Sequence, residues 1–269
     1  MPQSGKTARR TLLVTRPQPQ ADEWVERLCG LGQPARAAPL MLIEPVEAFA
    51  AGVRAAWREL PACRMVMFVS PNAVLQFFAQ RPDGLAWPAA TLAAATGPGT
   101  VAALRSQGVD AAQIVAPDPD ASQFDAETLW RQRLASRDWQ MQPALIVRGE
   151  DGRDWLADTL RGQGARVSLL AAYRRAAPAW SGTLLDGLHA ARQHPQAHAW
   201  LFSSSQAIGN LLAFMQDSPE RWDALRDVPA LATHARIGQT AREGGWRRVL
   251  TLGPDAVKIA AATLGLDAT

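Results

Sequence analysis

Residues 12–34 read LLVTRPQPQADEWVERLCGLGQP, and a related stretch at residues 144–166 reads ALIVRGEDGRDWLADTLRGQGAR. The two align at a constant spacing of 132 positions, which places Arg16 on Arg148. Each copy begins with an apolar run typical of a buried strand, continues through a polar turn, and ends in an amphipathic helical pattern stopped by glycine. The chain therefore repeats a strand–turn–helix unit.

Two further pairs of segments extend this duplication. MFVSPNAVLQFF at residues 67–78 resembles LFSSSQAIGNLL at 201–212, and ATGPGTVAALRSQGV at 95–109 resembles ATHARIGQTAREGGW at 232–246. The spacings are 134 and 137 positions, close to the 132 of the first pair. An internal repeat of this size predicts two similar lobes, with a ligand held in the cleft between them.

The fold class follows from the alternation of short apolar runs with helical patterns, which predicts an α/β protein with mostly parallel sheets. Each lobe is either contiguous, or the middle two repeat units pair while the outer two pair. Two extended stretches at matching places, APLMLIEPV (38–46) and SLLAAYRRA (168–176), favour the second arrangement because they could run side by side as a two-stranded tie.

Composition narrows the class of ligand. The chain is 48% hydrophobic and 20% charged with a net charge of +3, and its basic excess is almost entirely arginine, scattered along the sequence. Guanidinium groups bind carboxylates and phosphates, whereas a nucleic-acid protein gathers them in a stripe. We expect an anionic small-molecule ligand, no nucleic acid and no membrane span. The start MPQSGKTARRTLLVT lacks the apolar run of a signal peptide, so we expect a cytoplasmic protein.

Five predicted strand-to-helix turns carry small, hydroxylic or basic residues. Free N–H groups at a helix start attract anions, and parallel strands bring such turns to one sheet edge. Taken singly, each serine is better explained as a helix cap and each glycine as a turn former, and the arginines are equally well explained as exposed partners of carboxylates. Together the five favour a ligand with several acidic groups. The turns are Thr15–Pro17, Ser70–Ala73, Gly97–Thr100, Arg148–Glu150 and Ser203–Ser205.

Tyr173 is the one tyrosine of the chain and is followed by Arg174 and Arg175. Its phenol could face the cleft and donate a proton, assisted by the neighbouring positive charge. The spacing alone modestly favours a plainer role, a ring packed on the linker with its hydroxyl in water. The chain lacks the motifs GxGxxG after a strand, GxxxxGK[ST], GxSxG and HExxH, which predicts no nucleotide loop, serine nucleophile or metal site of those types.

Read in order, VTRP, FVSPNAVLQFF, ATGPGTVAALRSQG, LIVRGEDGRDWLADTLRGQGARV, YRR and FSSSQAIGNLL resemble the uroporphyrinogen-III synthase family over residues 12–264. This resemblance implies two flavodoxin-like lobes with the active site in the cleft. One lobe would comprise residues 1–38 plus 177–269 and the other residues 46–167. Residues 39–45 and 168–176 would be the two linker strands.

The resemblance also implies a reaction, the cyclisation of hydroxymethylbilane with loss of water and inversion of ring D through a spiro intermediate. It implies that Tyr173 assists departure of the hydroxymethyl oxygen and that no cofactor or metal is used. Nothing in the sequence suggests an obligate interface, so we expect a monomer. In its last ligand-binding turn the family often reads His-Pro-Arg-Ile, where this chain has alanine at position 235 between His234 and Arg236. Alanine in place of proline keeps the backbone N–H donors of that turn, so we expect binding to survive. The full predicted binding set is Arg16, Ser70, Asn72, Gly97, Gly99, Thr100, Arg148, Gly149, Ser203, Ser204, Ser205, His234 and Arg236.

Two other functions fit parts of the pattern. A non-catalytic bilobed receptor for an anionic metabolite would share the paired lobes and the cleft. A nucleotide-dependent enzyme could use the GPGT segment (97–100) as a phosphate loop.

Overall fold

A computed structural model describes residues 9–152, 154–218 and 222–263 of the chain. These residues divide into two compact units. The first unit contains the residues up to Leu42 together with those from Ala176 onward, and the second unit is Ile43–Arg175.

The described elements alternate along the chain between strands and helices. The strands are β1 (Thr11–Val14), β2 (Ala35–Ala37), β3 (Leu42–Glu44), β4 (Met65–Phe68), β5 (Leu92–Ala95), β6 (Ile114–Val115), β7 (Pro143–Gly149), β8 (Arg166–Ala176), β9 (His198–Phe202), β10 (Ala230–Ala232) and β11 (Val249–Thr251). The helices are α1 (Gln20–Gly30), α2 (Glu47–Glu59), α3 (Pro71–Ala79), α4 (Pro98–Ser106), α5 (Ala126–Leu129), α6 (Trp155–Gly162), α7 (Gly182–Gln193), α8 (Ser205–Asp217), α9 (Ala235–Glu243) and α10 (Ala256–Thr263).

The first unit is built on a five-stranded sheet in the order β2-β1-β9-β10-β11. Every pairing in it is parallel, with Leu13 opposite Trp200 in the register of β1 and β9. Leu12, Leu13 and Val14 are fully buried, as expected for a strand whose two faces are both covered. A continuous apolar run is therefore what this position in the sheet requires.

The second unit is built on a six-stranded sheet in the order β3-β8-β7-β4-β5-β6. The strands from β8 to β6 pair in parallel. All four residues of β4, Met65–Phe68, are buried, because β4 lies between β7 and β5 with helices on both faces. The register of β7 and β8 shifts between Arg148 and Gly149, which places Gly149 opposite Tyr173.

The sequence repeat maps onto the two sheets strand by strand. The series β2-β1-β9-β10-β11 in one sheet corresponds to β8-β7-β4-β5-β6 in the other. The outer repeat units thus form one sheet and the inner units form the other. The predicted α/β fold with parallel sheets is confirmed. In each sheet the order in which the chain adds strands reverses once, between β1 and β9 in the first sheet and between β7 and β4 in the second. Open parallel sheets bind ligands at such switch points, beyond the carboxyl ends of the strands.

Several elements differ from those predicted. Residues 168–176 lie within β8, which has β3 as one neighbour, so the two stretches predicted to run side by side do so. The difference is that β8 also pairs with β7, as far as Tyr173, as part of the second sheet. The role of these strands as a linker stays a prediction, as do the predicted lobe boundaries. Helix α4 begins at Pro98 and not at Val101, because proline is tolerated in a first helical turn. Helix α6 begins at Trp155, and Arg153, predicted at its start, lies outside the described residues.

Three helices, α2, α7 and α10, were not predicted. Helices α7 and α10 are rich in alanine or interrupted by glycine, so their apolar periodicity is weak in the sequence. Helix α2 does have an amphipathic pattern, with Ala50, Val53 and Trp57 on its buried face, and the sequence analysis missed it. Within the part of the chain that the structure describes, no helix combines the length and the apolar character that crossing a bilayer requires.

Candidate active site

The switch point of the second sheet lies where β4 and β7 end side by side. Ser70 follows β4 and caps α3, with its Oγ accepting a hydrogen bond of 3.2 Å from the backbone N–H of Ala73. This satisfies one of the donors that the start of a helix leaves open. The serine is half-buried. Ser70 is therefore a helix N-cap, as the simpler explanation of this serine predicted.

The second contact of Ser70 is Tyr173. The two hydroxyl oxygens are 3.0 Å apart, and Nη2 of Arg175 donates a bond of 3.4 Å to the phenol oxygen. The Arg175 guanidinium also lies 5.8 Å from the centre of the tyrosine ring. Residues 173 and 175 point to the same face of β8 because side chains alternate along a strand. The same alternation could have shown from the sequence that Arg175, and not Arg174, shares a face of the strand with Tyr173.

Burial of Tyr173 corrects the sequence-based expectation for its hydroxyl. Only 1% of the residue is exposed, and its ring packs in the core of the second unit beside Phe68 and Val147. The plainer prediction, a hydroxyl in water, is wrong, because the hydroxyl is bound to Ser70 and Arg175.

Gly149 makes room for this ring. A Cβ on Gly149 would lie 3.0 Å from Cε2 of Tyr173 and 3.3 Å from its Cζ. The register shift between β7 and β8 brings the two residues opposite each other. Gly149 is therefore needed for close packing against the phenol ring and not only for a turn.

The start of α4 lies beside the start of α3. Gly97 is the N-cap of α4, and a Cβ on Gly99 would lie 3.5 Å from Cγ of Pro71 in the first turn of α3. Thr100 is only 3% exposed, so its hydroxyl does not face solvent, whereas the half-buried Asn72 sits in the first turn of α3. The two helix starts together supply closely spaced backbone N–H groups of the kind that bind anions.

Arg148, at the end of β7, is paired with a carboxylate of its own turn. It forms an ion pair and hydrogen bond with Asp154, and its side chain is 11% exposed. A Cβ on Gly152 would lie 2.9 Å from Nε of Arg148, so the glycine lets the guanidinium lie against the turn. An open depression of about 230 Å³ adjoins this pair, and it is lined by Arg148, Gly149, Glu150, Asp154, Leu169 and Ala171.

Glu150 pairs with Arg174 on the other face of β8. Nε of Arg174 lies 2.6 Å from the carboxylate, and the hydrogen bond from Arg174 holds the pKa of Glu150 below its ordinary value. The same contact raises the pKa of Arg174. The charge of Arg174 is thus compensated locally, which leaves Arg175 as the cation in contact with Tyr173.

The switch point of the first sheet repeats the helix caps. Ser204 caps α8, with its Oγ accepting from the N–H of Ala207 at 3.5 Å, and His234 caps α9, with Nδ1 accepting from the N–H of Arg236 at 3.2 Å. Oγ of Ser205 lies 3.0 Å from Oγ1 of Thr240, which ties the start of α8 to the second half of α9. Ser203 is half-buried and Arg236 is exposed.

Arg16 differs from its repeat partner Arg148. Its guanidinium lies 4.6 Å from the centre of the Trp24 ring on α1. Burial, together with the nearby charge of Arg27, lowers the pKa of Arg16 to about 10, so the group remains a cation at neutral pH. Its Nε is buried without a hydrogen-bond partner. A buried donor of this kind is costly unless a partner is supplied, and an anion would supply one.

The predicted residues therefore fall into two groups. In the second unit the structure gathers one group along the carboxyl edge of its sheet, namely Ser70, Asn72, Gly97, Gly99, Thr100, Arg148, Gly149 and Tyr173. In the first unit a matching group comprises Arg16, Ser203, Ser204, Ser205, His234 and Arg236. The sequence analysis missed Asp154, whose pairing depends on the conformation of the turn after β7.

Comparisons with known proteins agree on one family. The family model for uroporphyrinogen-III synthase HemD matches residues 22–253. A uroporphyrinogen-III synthase from Salmonella typhimurium is 31% identical over 254 residues, covering 89% of this chain and 93% of the relative. The enzyme of the same name from Escherichia coli is 30% identical over 245 residues, with the same coverages.

The fold is also found among solved structures. A mutant uroporphyrinogen III synthase from the extremely thermophilic bacterium Thermus thermophilus superimposes with a TM-score of 0.58 at 16% identity, covering 96% of this chain and 99% of that one. At this identity the likeness concerns the fold alone, whereas the family model and the two relatives concern the sequence itself. The chain belongs to the uroporphyrinogen-III synthase family.

Proposed function

We propose that this chain converts hydroxymethylbilane to uroporphyrinogen III through the spiro route, with the reacting end of the substrate at the switch point of the second sheet. The observation that carries this assignment is the hydrogen-bonded group of Ser70, Tyr173 and Arg175 beside two helix starts. A proton source next to backbone N–H donors suits a polycarboxylate that must lose water.

The remaining predicted residues act in our proposal as anchors. The backbone N–H groups and hydroxyls at both sheet edges bind the carboxylates of the linear tetrapyrrole, and Arg16 and Arg148 add cationic contacts. The two units act as lobes joined by linker strands, with the substrate in a cleft between them. The enzyme works without cofactor or metal, as a cytoplasmic monomer that binds neither nucleic acid nor membranes.

The chemistry explains why so few reactive groups suffice. Hydroxymethylbilane loses water and closes unaided, but the product is the isomer in which ring D is not inverted. Loss of water leaves an azafulvene on ring A, and the substituted carbon of ring D must attack it for the spiro intermediate to form. Holding the two ends in that geometry is a problem of orientation, which many weak anchors solve together.

The identity of the porphyrin isomer tests the proposed function. Incubation of the protein with freshly made hydroxymethylbilane, followed by oxidation and chromatography, is expected to give mainly isomer III. The control is the same substrate without protein, which gives isomer I. A non-catalytic receptor would bind the substrate and leave isomer I dominant, and that result would refute the proposal.

Replacing one anchor is expected to weaken the enzyme without abolishing its turnover. An Arg148→Ala variant should raise KM by roughly tenfold, the scale of one lost charge-assisted hydrogen bond, with a smaller change in kcat. The matched control is Arg161→Ala, because Arg161 also pairs with an aspartate, 3.1 Å away on α6, but is exposed and outside the proposed site. Absence of residual turnover in Arg148→Ala or Thr100→Ala would contradict the idea of many shared anchors.

A further inference from the structure

The directions of the hydrogen bonds around Tyr173 assign a role to Ser70. We propose that Ser70 hands the proton to the leaving hydroxyl of the substrate and that Tyr173 is the buried source behind it. This inference rests on the proposed function and makes it more specific. Ser70 would be the catalytic residue that touches the substrate, whereas Tyr173 and Arg175 would act through it.

The first step is the direction of the bond between Arg175 and Tyr173. A guanidinium carries donors and no acceptor, so the phenol oxygen accepts from Nη2 of Arg175 at 3.4 Å. The phenol proton must then point to an acceptor, and Oγ of Ser70 lies 3.0 Å away. The distance fits either direction, and we assign Tyr173 as the donor and Ser70 as the acceptor because the buried phenol proton needs an acceptor and Oγ of Ser70 is within reach.

The second step concerns the proton of Ser70 itself. Its oxygen accepts from the N–H of Ala73 at 3.2 Å and from the phenol of Tyr173, which uses both lone pairs. The serine proton is thereby directed away from both partners. Because Ser70 is half-buried and Tyr173 is 1% exposed, the serine proton is the one that this group presents at the sheet edge.

The proton balance of the step is simple. The Ser70 hydroxyl protonates the hydroxymethyl oxygen, the C–O bond breaks and water departs, while the phenol proton of Tyr173 moves to Oγ of Ser70. The phenolate that forms lies beside the Arg175 guanidinium, which stabilises it. The spiro intermediate then fragments at the bond between ring D and the carbon that links it to ring C, and the unsubstituted carbon of ring D closes the macrocycle with that linking carbon. The unsubstituted carbon loses its proton as ring D regains aromaticity, and that proton restores Tyr173.

The duplication provides an internal contrast. Ser204 occupies the place of Ser70 in the other sheet and also caps a helix, accepting from Ala207. The first sheet has no phenol at that place, because Tyr173 is the one tyrosine of the chain. The two copies of the turn therefore share the anion-binding arrangement, and only the copy in the second unit adds a proton source.

Substitutions at Ser70 can separate the relay from the helix cap. Ser70→Asn keeps a good N-cap residue but has no hydroxyl to pass a proton, whereas Ser70→Thr keeps both properties. We expect kcat for Ser70→Asn to fall by roughly ten- to a hundredfold, towards the low end for general acid catalysis because water also leaves unaided. We expect Ser70→Thr to retain most of the wild-type kcat.

A double variant provides the sharpest test. If both residues belong to one relay, Ser70→Asn combined with Tyr173→Phe should lower kcat no further than the more damaging single substitution. Losses that multiply would show two independent roles and would overturn the relay. A Ser70→Asn variant with raised KM but unchanged kcat would make Ser70 an anchor only, and would likewise overturn it.

Two controls keep the test decisive. If the wild-type protein forms no isomer III, the proposed function itself fails; if it does and Ser70→Asn retains its kcat, only the relay fails. Should Ser70→Asn not fold, a single-turnover proton inventory on the wild-type protein replaces it. Two protons in flight predict a curved dependence of the rate on the deuterium fraction of the solvent, and a linear dependence would overturn the relay.

Discussion

A Tyr173→Phe variant is expected to fold and to bind the substrate with nearly unchanged KM while its kcat falls by roughly ten- to a hundredfold. The substitution removes one oxygen and keeps the ring that packs in the core of the second unit. It removes the hydroxyl that is hydrogen-bonded both to Arg175 and to Ser70. The measurement is kcat and KM with hydroxymethylbilane, together with the isomer ratio.

The matched control removes a buried hydroxyl that has no place in the reaction. Thr91→Val deletes an Oγ1 that donates to the carbonyl oxygen of Leu60 at 2.8 Å, and Thr91 is fully buried in the same unit. We expect it to lose about 1 kcal/mol of unfolding free energy, as Tyr173→Phe does, and to keep its kcat. Equal kcat values for Tyr173→Phe and the wild-type protein would remove Tyr173 from the mechanism.

The parallel sheets could be predicted because duplication leaves a strong signal. The apolar runs at residues 12–14 and 65–68 have no alternation, and continuous burial of that kind belongs to strands covered on both faces. The spacing of the repeats also shows which strand of one sheet is equivalent to which strand of the other. The sequence analysis also favoured a pairing of segments 38–46 and 168–176, and β3 and β8 are neighbours in the second sheet. It did not predict that β8 also pairs with β7, because an extended stretch carries no information about a second neighbour.

The candidate site was predictable as a set of turns but not as a set of contacts. Ser70 and Ser204 have the same neighbours in sequence, a strand before and a helix after, and both cap that helix. Only Ser70 has a phenol within hydrogen-bond distance, because a register shift after Arg148 brings Tyr173 opposite Gly149. A register shift depends on how two strands pack over their whole length, so a local pattern cannot reveal it.

The two repeat-related arginines show the same difference between sequence and contact. They occupy equivalent strand ends, but Arg16 lies against the ring of Trp24 and Arg148 against the turn that contains Asp154. The spacing of 132 positions places Leu156 where the first copy has Trp24, and the neighbouring Trp155 is 40% exposed. Equivalent positions in a duplicated chain thus give different electrostatic surroundings, which only the structure reveals.

Replacing Gly149 by alanine is expected to disturb both stability and catalysis. The added Cβ would lie 3.0 Å from Cε2 of Tyr173, and the ring has little room to move because it is buried and its hydroxyl is bound to Ser70. Overpacking of this kind costs roughly 1–3 kcal/mol of unfolding free energy. Any shift of the ring also lengthens the bond between Tyr173 and Ser70, so kcat should fall in the same direction as in Tyr173→Phe.

The control for this variant is Gly162→Ala, at the end of α6. A Cβ there has nothing within 4 Å, and alanine favours a helix over glycine, so stability should be unchanged or rise by up to about 1 kcal/mol with kcat unaffected. Denaturant unfolding and kcat measured on both variants separate a general effect of losing a glycine from the contact with the phenol ring. If Gly149→Ala matched Gly162→Ala in both measurements, the close packing of Gly149 against Tyr173 would have no part in holding the phenol in place.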